Sequence, residues 1–473
     1  MVEAGFRPDF SPEVLQAIQA FKQNPPAGQT ADARDLRSLS WSSIDNDTSR
    51  DLDQIEYVEK QDDGTAKLLI GIADVDCAVP KGAATDAQAA FETTSVYAGV
   101  STFPMLPADL STDLTSLVEA QDRRAIVIEL RVVPSGEVTN HDVYPAIVKN
   151  RAKLAYSSTG AWLEGRGPIP PAVAAAAGME AQLRTQLDLS VRLRALRKSQ
   201  GALTFGSIEP VPVMDDGRVK DLVVSPHNVA QDVIESFMVA ANVAMARYLA
   251  DKSALALRRV VRTPRRWDRI QSIAAQFGVR LPAEPDSRAL CEFLDQRKDA
   301  DPLHFLDLSL SVIKLLGPGE YMVQRAGGQA EGHFGLAVHD YTHSTAPNRR
   351  FADLVTQRLL KNAAANRPGP YAEAELAQIA ARCTEREDAA RKVERLMRKI
   401  IAASALSQRT GEVFDAVVTG ASPKGTYARL LTFPAEGRVI RAAEGIDVGD
   451  RVRVRLLSVE ISKGFIDFER MIR

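Results

Sequence analysis

The sequence predicts an α/β protein that ends in a small β-barrel. Three observations carry that prediction. Strand-like apolar runs, Leu68–Val75 and Ala125–Val133, alternate with loops in the first half of the chain. Helix-length runs, Asn228–Ala250 and Asp353–Ala365, dominate the later half. From about Gly411 onward the chain breaks into short strands separated by turn residues.

Residues 1–39 are expected to be a short helical element. Ser11 is a helix cap, Pro12 suits the first helical position, and Val14, Leu15, Ile18 and Phe21 recur at helical spacing. Asn24-Pro25-Pro26 stops that helix, and a second is expected within Ala31–Leu39. Residues 40–408 read as one large mixed α/β domain with no internal repeat or linker, its Pro170–Ala177 piece a surface helix end. Residues 411–473 form the barrel, with strands Val413–Val418, Tyr427–Leu431, Arg451–Val459 and Gly464–Phe468 and turns at Lys424-Gly425 and Val448-Gly449-Asp450. Arg451, Arg453 and Arg455 alternate with apolar residues, so one face of their strand is basic.

Composition bounds the function classes. The 473 residues are 45% hydrophobic and 25% charged, the balance of a globular protein with a sizeable core. The formal net charge of −2 gives no global basicity, although a channel needs only local positive charge. Cys77, Cys291 and Cys383 have no metal-ligand spacing and read as thiols in a reducing compartment. The N-terminus lacks a signal-peptide plan, and no apolar run is read as long enough for a membrane span. The expectation is a cytoplasmic monomer without a membrane partner.

The stretch that carries chemistry is Ser42–Gln54, with Asp45, Asp47, Asp51 and Asp53 inside nine positions. Hard carboxylate oxygens gathered this tightly suit magnesium. The same residue types also make solvated loops and caps with nothing bound, and composition does not separate the two.

The stretch resembles the signature of the ribonuclease II (RNB) family, in which Ile-Asp is followed six residues later by Asp-x-Asp-Asp. Asp45, Asp51 and Asp53 match three of its carboxylates, and Gln54 stands at the fourth. Further stretches match in the same order. They are Ile72-Ala73-Asp74, Pro104-Met105-Leu106-Pro107, Leu110–Leu117, the Glu235–Asn242 helix, His333-Phe334-Gly335-Leu336, and Thr345–Asp353 against Thr-Ser-Pro-Ile-Arg-Arg-Tyr-x-Asp. The final barrel resembles the oligonucleotide-binding (OB) domain named after ribosomal protein S1, a fold that binds single strands with basic and aromatic side chains on one face. Tyr427 and Phe414 are its available aromatics, and either also reads as core.

The resemblance implies a 3′→5′ processive exoribonuclease that hydrolyses single-stranded RNA to nucleoside 5′-monophosphates with Mg2+. Asp45, Asp51 and Asp53 would hold the metal, with Asp47 as the stand-in for the missing fourth aspartate. Arg349 would grip the scissile phosphate; paired instead with Asp353 it would be structural. Tyr97 and Phe205 would stack on bases, Phe205 reading equally as core. Tyr156 and Glu235 would contact ribose, unless Glu235 simply pairs with Arg247 or His227. About forty residues precede the signature, too few for the two N-terminal barrels usual in the family, so structured RNA is a further expected substrate. The rival reading, favoured by Gln54, is a catalytically silent RNA-binding protein that retains the fold.

Overall fold

The computed structural model describes residues 1–472 apart from 24–32, 207–209, 216–217, 225, 253, 303, 329–330 and 423–424. The expected helix stop at Asn24-Pro25-Pro26 and the turn residue Lys424 lie outside the described residues.

Helix α1 (Pro12–Gln23) buries Val14 and Ile18, two of the four periodic residues. No second helix follows in the described residues. Arg34–Asp35 is instead a two-residue strand, β1, paired in parallel with Ala146 and Ile147. The Asp35 carboxylate accepts the backbone N–H of Arg37 at 3.1 Å. That local turn competes with helix formation, which explains the failed expectation.

The sheet that follows is built from β2 (Trp41–Asp45), β3 (Gln54–Lys60), β4 (Ala66–Ala73), β7 (Asp122–Val132) and the long β8 (Val138–Ala155). Between β4 and β7 lie α2 (Ala84–Glu92) and the short strands β5 (Val96–Tyr97) and β6 (Thr102–Phe103). β8 pairs with β7 on one edge and with β1 and β2 on the other, so the pairing order β8-β2-β3-β4-β7 returns to β8 as a ring. Leu68, Leu69, Ile70 and Ile72 of β4 are all buried, since a ring wrapped by helices covers both faces of a strand.

The wrapping helices are α3 (Tyr156–Leu163), α4 (Pro171–Ala175), α5 (Met179–Ser199) and α6 (Val229–Asp251), with the hairpin β9 (Pro210–Asp215) and β10 (Arg218–Val224) between α5 and α6. Asn228 caps α6 in a reciprocal capping box with Gln231. This helix is long and apolar enough to cross a bilayer by length and composition, which corrects the reading that no such run exists. Yet 67% of its apolar window is buried inside the fold, as in a core helix. A helical unit follows, with β11 (Ala256–Val260), α7 (Trp267–Gln276), α8 (Ser287–Ala300), α9 (Phe305–Leu316) and β12 (Glu320–Gln324). Helices α10 (Phe351–Ala364) and α11 (Glu373–Leu406) complete the domain.

The C-terminal strands are β13 (Val413–Ser422), β14 (Gly425–Leu430), β15 (Glu436–Arg441), β16 (Arg451–Glu460) and β17 (Phe465–Arg470), closed as a five-stranded barrel. β15 is the strand the sequence reading missed. Phe414 is buried in the barrel core, whereas Tyr427 is exposed on its outside. Arg429 of β14 makes a two-point contact with Asp307 of α9 at 2.9 and 3.2 Å, a half-buried tie between barrel and main domain.

Candidate active site

The aspartates meet the arginine because three segments far apart in sequence are sewn together by hydrogen bonds. Asp45 ends β2, and Asp51 and Asp53 lie in the connection to β3. The Leu110–Leu117 segment holds that connection: Ser116 Oγ accepts the Leu52 N–H at 2.9 Å and donates to the Arg50 carbonyl at 2.8 Å. The neighbouring Thr115 hydroxyl donates to Asn348 Oδ1 at 2.6 Å. Asn348 in turn donates its backbone N–H to Asp53 Oδ1 at 3.0 Å, across 295 positions.

The turn that carries the arginines is fixed from below. Buried Asp353 accepts the N–H groups of Thr345 and Ala346 at 2.8 Å each. It also takes both prongs of Arg350, at 2.8 Å each. Asn242 of α6 accepts the N–H and hydroxyl of Ser344 at 2.8 and 2.9 Å. The structural ion pair to Asp353 therefore belongs to Arg350, not to Arg349. Arg349 Nε lies 3.6 Å from Asp53 Oδ2, and its side chain is 43% exposed.

Charge at this face is poorly compensated. Burial pushes the Asp53 carboxyl up to about 7 against the pull of Arg349, and Asp51 raises it further. Its Oδ2 is buried without a hydrogen-bond partner. Burial likewise raises Asp45, although Asn46 N–H and the Ser49 hydroxyl donate to its Oδ1 at 2.7 and 3.0 Å. The orphaned Asp53 oxygen is a hard donor of the kind a divalent cation takes, but the oxygens of Asp45, Asp51 and Asp53 are not all within 4.8 Å of one another. Among the described residues the group that is so gathered is His227, Asp232 and Glu235.

Other expected residues separate into near and far. Segment 93–97 is laced to the arginine turn by Ser95 N–H to the Arg349 carbonyl at 2.9 Å and Phe351 N–H to the Thr93 carbonyl at 2.8 Å. Tyr97 thus stands beside Arg349. Desolvation pushes its hydroxyl up to about 12; Arg349 pulls against that, and Asp51, Asp53 and Asp45 push it further up. Tyr156 opens α3, and its buried hydroxyl end feels Asp45 and Arg349 as well. Phe205 packs against the α7–α9 apolar cluster, the core alternative of the sequence reading. Glu235 is tied to Arg197 at 3.5 Å, while His227 bonds Asp232 at 2.7 Å and Arg247 faces Asp340. Asp47 is exposed and accepts the Ser157 hydroxyl at 2.7 Å. Sequence reasoning missed Asn348, although its departure from the family's isoleucine was visible. It also missed Glu56 of β3, which is fully buried with both carboxylate oxygens unpartnered.

A strand ring that presents carboxylates to an arginine, followed by an oligonucleotide-type barrel, defines the class of RNase II-type exonucleases. The chain belongs to the RNB family. The RNB domain matches residues 33–366, and the RNase II-type exonuclease C-terminal S1 domain matches residues 412–471. Over 98% of its length the chain is 26% identical to ribonuclease R 2 of Lactococcus lactis, and it covers 73% of that protein. It is 28% identical to ribonuclease R of Escherichia coli, of which it spans only 59%. In structure it resembles the apo form of Mycoplasma genitalium RNase R with a TM-score of 0.87 at 22% identity, covering 100% of this chain and 77% of that one.

Proposed function

We propose that the chain is a 3′→5′ exoribonuclease that hydrolyses single-stranded RNA processively to nucleoside 5′-monophosphates in the presence of Mg2+. The observation that carries this reading is the convergence of Asp45, Asp51 and Asp53 on Arg349, with one buried oxygen of Asp53 left without a hydrogen bond. The relatives named ribonuclease R support RNA as substrate. RNase R of Mycoplasma genitalium has itself been solved with single-stranded and with double-stranded RNA.

Asp45 and Asp53 would hold the metal, and Asp51 would complete its shell. When bound, magnesium supplies Lewis-acid stabilisation of the charge that builds on the phosphate oxygens. The remaining work belongs to the chain. Arg349, half-exposed at the edge of the cluster, grips the scissile phosphate through its planar fork. The backbone N–H of Asn348 occupies one oxygen of Asp53, so the other, which has no hydrogen-bond partner, is the atom that would meet a cation. Tyr97 offers an exposed ring on which a terminal base stacks without regard to sequence. Tyr156 places its hydroxyl within reach of ribose, the contact that tells RNA from DNA. Arg451 and Arg453 on the outer barrel face contribute affinity for the strand behind.

The second reading, a silent RNA-binding protein, rests on Gln54. One assay separates the two: a 5′-labelled oligoribonucleotide incubated with magnesium. A descending ladder of one-nucleotide steps supports the exoribonuclease, and an intact band with retained binding supports the silent protein.

A further inference from the structure

Apart from the aspartate face, the start of α6 gathers side chains that ligate metals. His227, Asp232 and Glu235 each offer a ligand atom, and the three atoms lie within 4.8 Å of one another. His227 Nε2 is already 2.7 Å from Asp232 Oδ1. A transition ion with bonds of about 2.0–2.2 Å holds its ligand atoms roughly 3–3.5 Å apart. One edge of such a shell therefore exists. Glu235 is more than half exposed on a long side chain, so a rotation brings its carboxylate to the other two atoms.

The local fold prepares this arrangement. The reciprocal cap between Asn228 and Gln231 fixes how the chain enters α6, and His227 is the residue just before that cap. Asp232 and Glu235, three positions apart, are neighbours on one face of the helix. Asn228 also donates its side-chain amide to the Tyr156 carbonyl at 3.1 Å, which ties the helix start to α3. From α5, Arg194 holds Oδ2 of Asp232, and Arg197 lies 3.5 Å from Oε1 of Glu235. A carboxylate has two oxygens, so an arginine on one leaves the other for an ion. Outer partners of this kind orient the ligands of metal sites.

The same arginines decide which ion fits. Two guanidinium groups offset the charge of the two carboxylates, so a hard cation such as magnesium, held by oxygen ligands and charge, gains little here. An imidazole nitrogen instead suits the zinc class of ions. His227 is more than half exposed, which leaves room for water to complete the shell.

We propose that His227, Asp232 and Glu235 form a binding site for a transition ion of the zinc class, separate from the aspartate face, which clamps the β10–α6 connection onto α6. The test is calorimetric titration of the full, untagged chain with Zn2+ in the presence of excess Mg2+. One saturable Zn2+ site is expected. His227→Ala and Glu235→Gln should each weaken it at least tenfold. Both positions are exposed, so the metal-free variants should keep the parent's melting temperature, measured in chelator. Asp45→Asn should bind Zn2+ within about twofold of the parent. No saturable Zn2+ binding by the parent chain overturns the proposal. So does undiminished binding by His227→Ala and Glu235→Gln. Loss with Asp45→Asn alone would put the ion on the aspartate face and overturn it as well. The reading of Asp45, Asp51 and Asp53 stands or falls separately from each of the first two results.

Discussion

Two clusters of buried charge sit in the same domain and are built on opposite terms. One joins β4, β7, α2 and α10. There Arg358 bonds Asp76 at 2.9 Å, Asp86 at 2.8 Å and the Tyr371 hydroxyl at 2.6 Å. Lys361 bonds Asp74 and Asp76 at 2.9 Å each, and Arg124 reaches Asp74 at 3.2 Å. Three cations face three aspartates. The other cluster sets Asp45, Asp51 and Asp53 near Arg349, and that arginine is half in solvent. Balanced charge of the first kind holds segments together, while unbalanced charge of the second kind is stable only with something bound. The contrast teaches that charge balance, more than burial, separates a structural cluster from a chemical one.

The largest expected effect breaks the unbalanced cluster. Asp53→Asn keeps shape and keeps an oxygen for the Asn348 N–H, but removes one charge. Hydrolysis should fall by at least about a thousandfold, roughly 4 kcal/mol of transition-state stabilisation, while RNA affinity changes little. Single-turnover cleavage and filter binding on the same oligoribonucleotide check this. Cleavage at near the parent rate would show that Asp53 is not part of the chemistry.

Breaking the balanced cluster should do the reverse. Arg358→Leu leaves Asp86 buried without its partner and should cost about 3–5 kcal/mol of stability. Denaturant unfolding measures that loss. Cleavage per folded molecule should hold, since no atom of Arg358 contacts the aspartate face. A rate that falls with full folding would tie the two clusters together.

Next comes pH. The Asp53 carboxyl is raised from 3.8 in the unfolded chain to about 7 in the folded one. Its contribution to stability is thus fully present below pH 3.8 and is lost as pH rises through about 7. Metal-free protein should lose at most about 4 kcal/mol from this group between those limits. Asp53→Asn should lack that part of the dependence and be the more stable form at pH 8, with little advantage at pH 4. Thermal unfolding in chelator across that range decides it. Parallel curves for the two proteins would mean that Arg349 already compensates the charge.

The same comparison explains what the sequence could and could not reveal. The outline of the fold was legible where one signal acts locally. The Asn228–Gln231 box starts α6, and the apolar run at Leu68–Ile72 becomes β4. The three aspartates and Arg349 were legible as a motif. The burial of Glu56 was not, because Gln-Ile-Glu-Tyr-Val-Glu reads as a strand with one wet face, and its cover comes from elements distant in sequence, Gln186 of α5 among them. The choice between Arg349 and Arg350 was hidden for a similar reason. Both adjoin the same helix start, and Asp353 selects Arg350 through the turn geometry of residues 344–350. The helix expected within Ala31–Leu39 failed because a parallel partner on β8, distant in sequence, pairs with Arg34–Asp35, and the Asp35–Arg37 turn adds a local competitor.

The smallest expected effect sharpens the comparison by using one residue from each environment. Tyr156 belongs to the unbalanced face, its hydroxyl beside Asp45 and Glu56. Glu235 is exposed and already paired with Arg197. Tyr156→Phe should narrow the preference for RNA over DNA by about tenfold, near 1.4 kcal/mol, the worth of one hydrogen bond to a 2′-hydroxyl. Glu235→Ala should move it by less, because its charge is screened and shared before RNA arrives. The double variant should then show little beyond Tyr156→Phe. The measurement is the rate on a DNA oligonucleotide ending in two ribonucleotides, compared with all-DNA and all-RNA strands of the same sequence. Equal shifts from the two single variants would mean that Glu235 leaves Arg197 when RNA binds, so that a paired group can still act as a contact. No shift from either would place the discrimination on other residues and detach Tyr156 from the ribose.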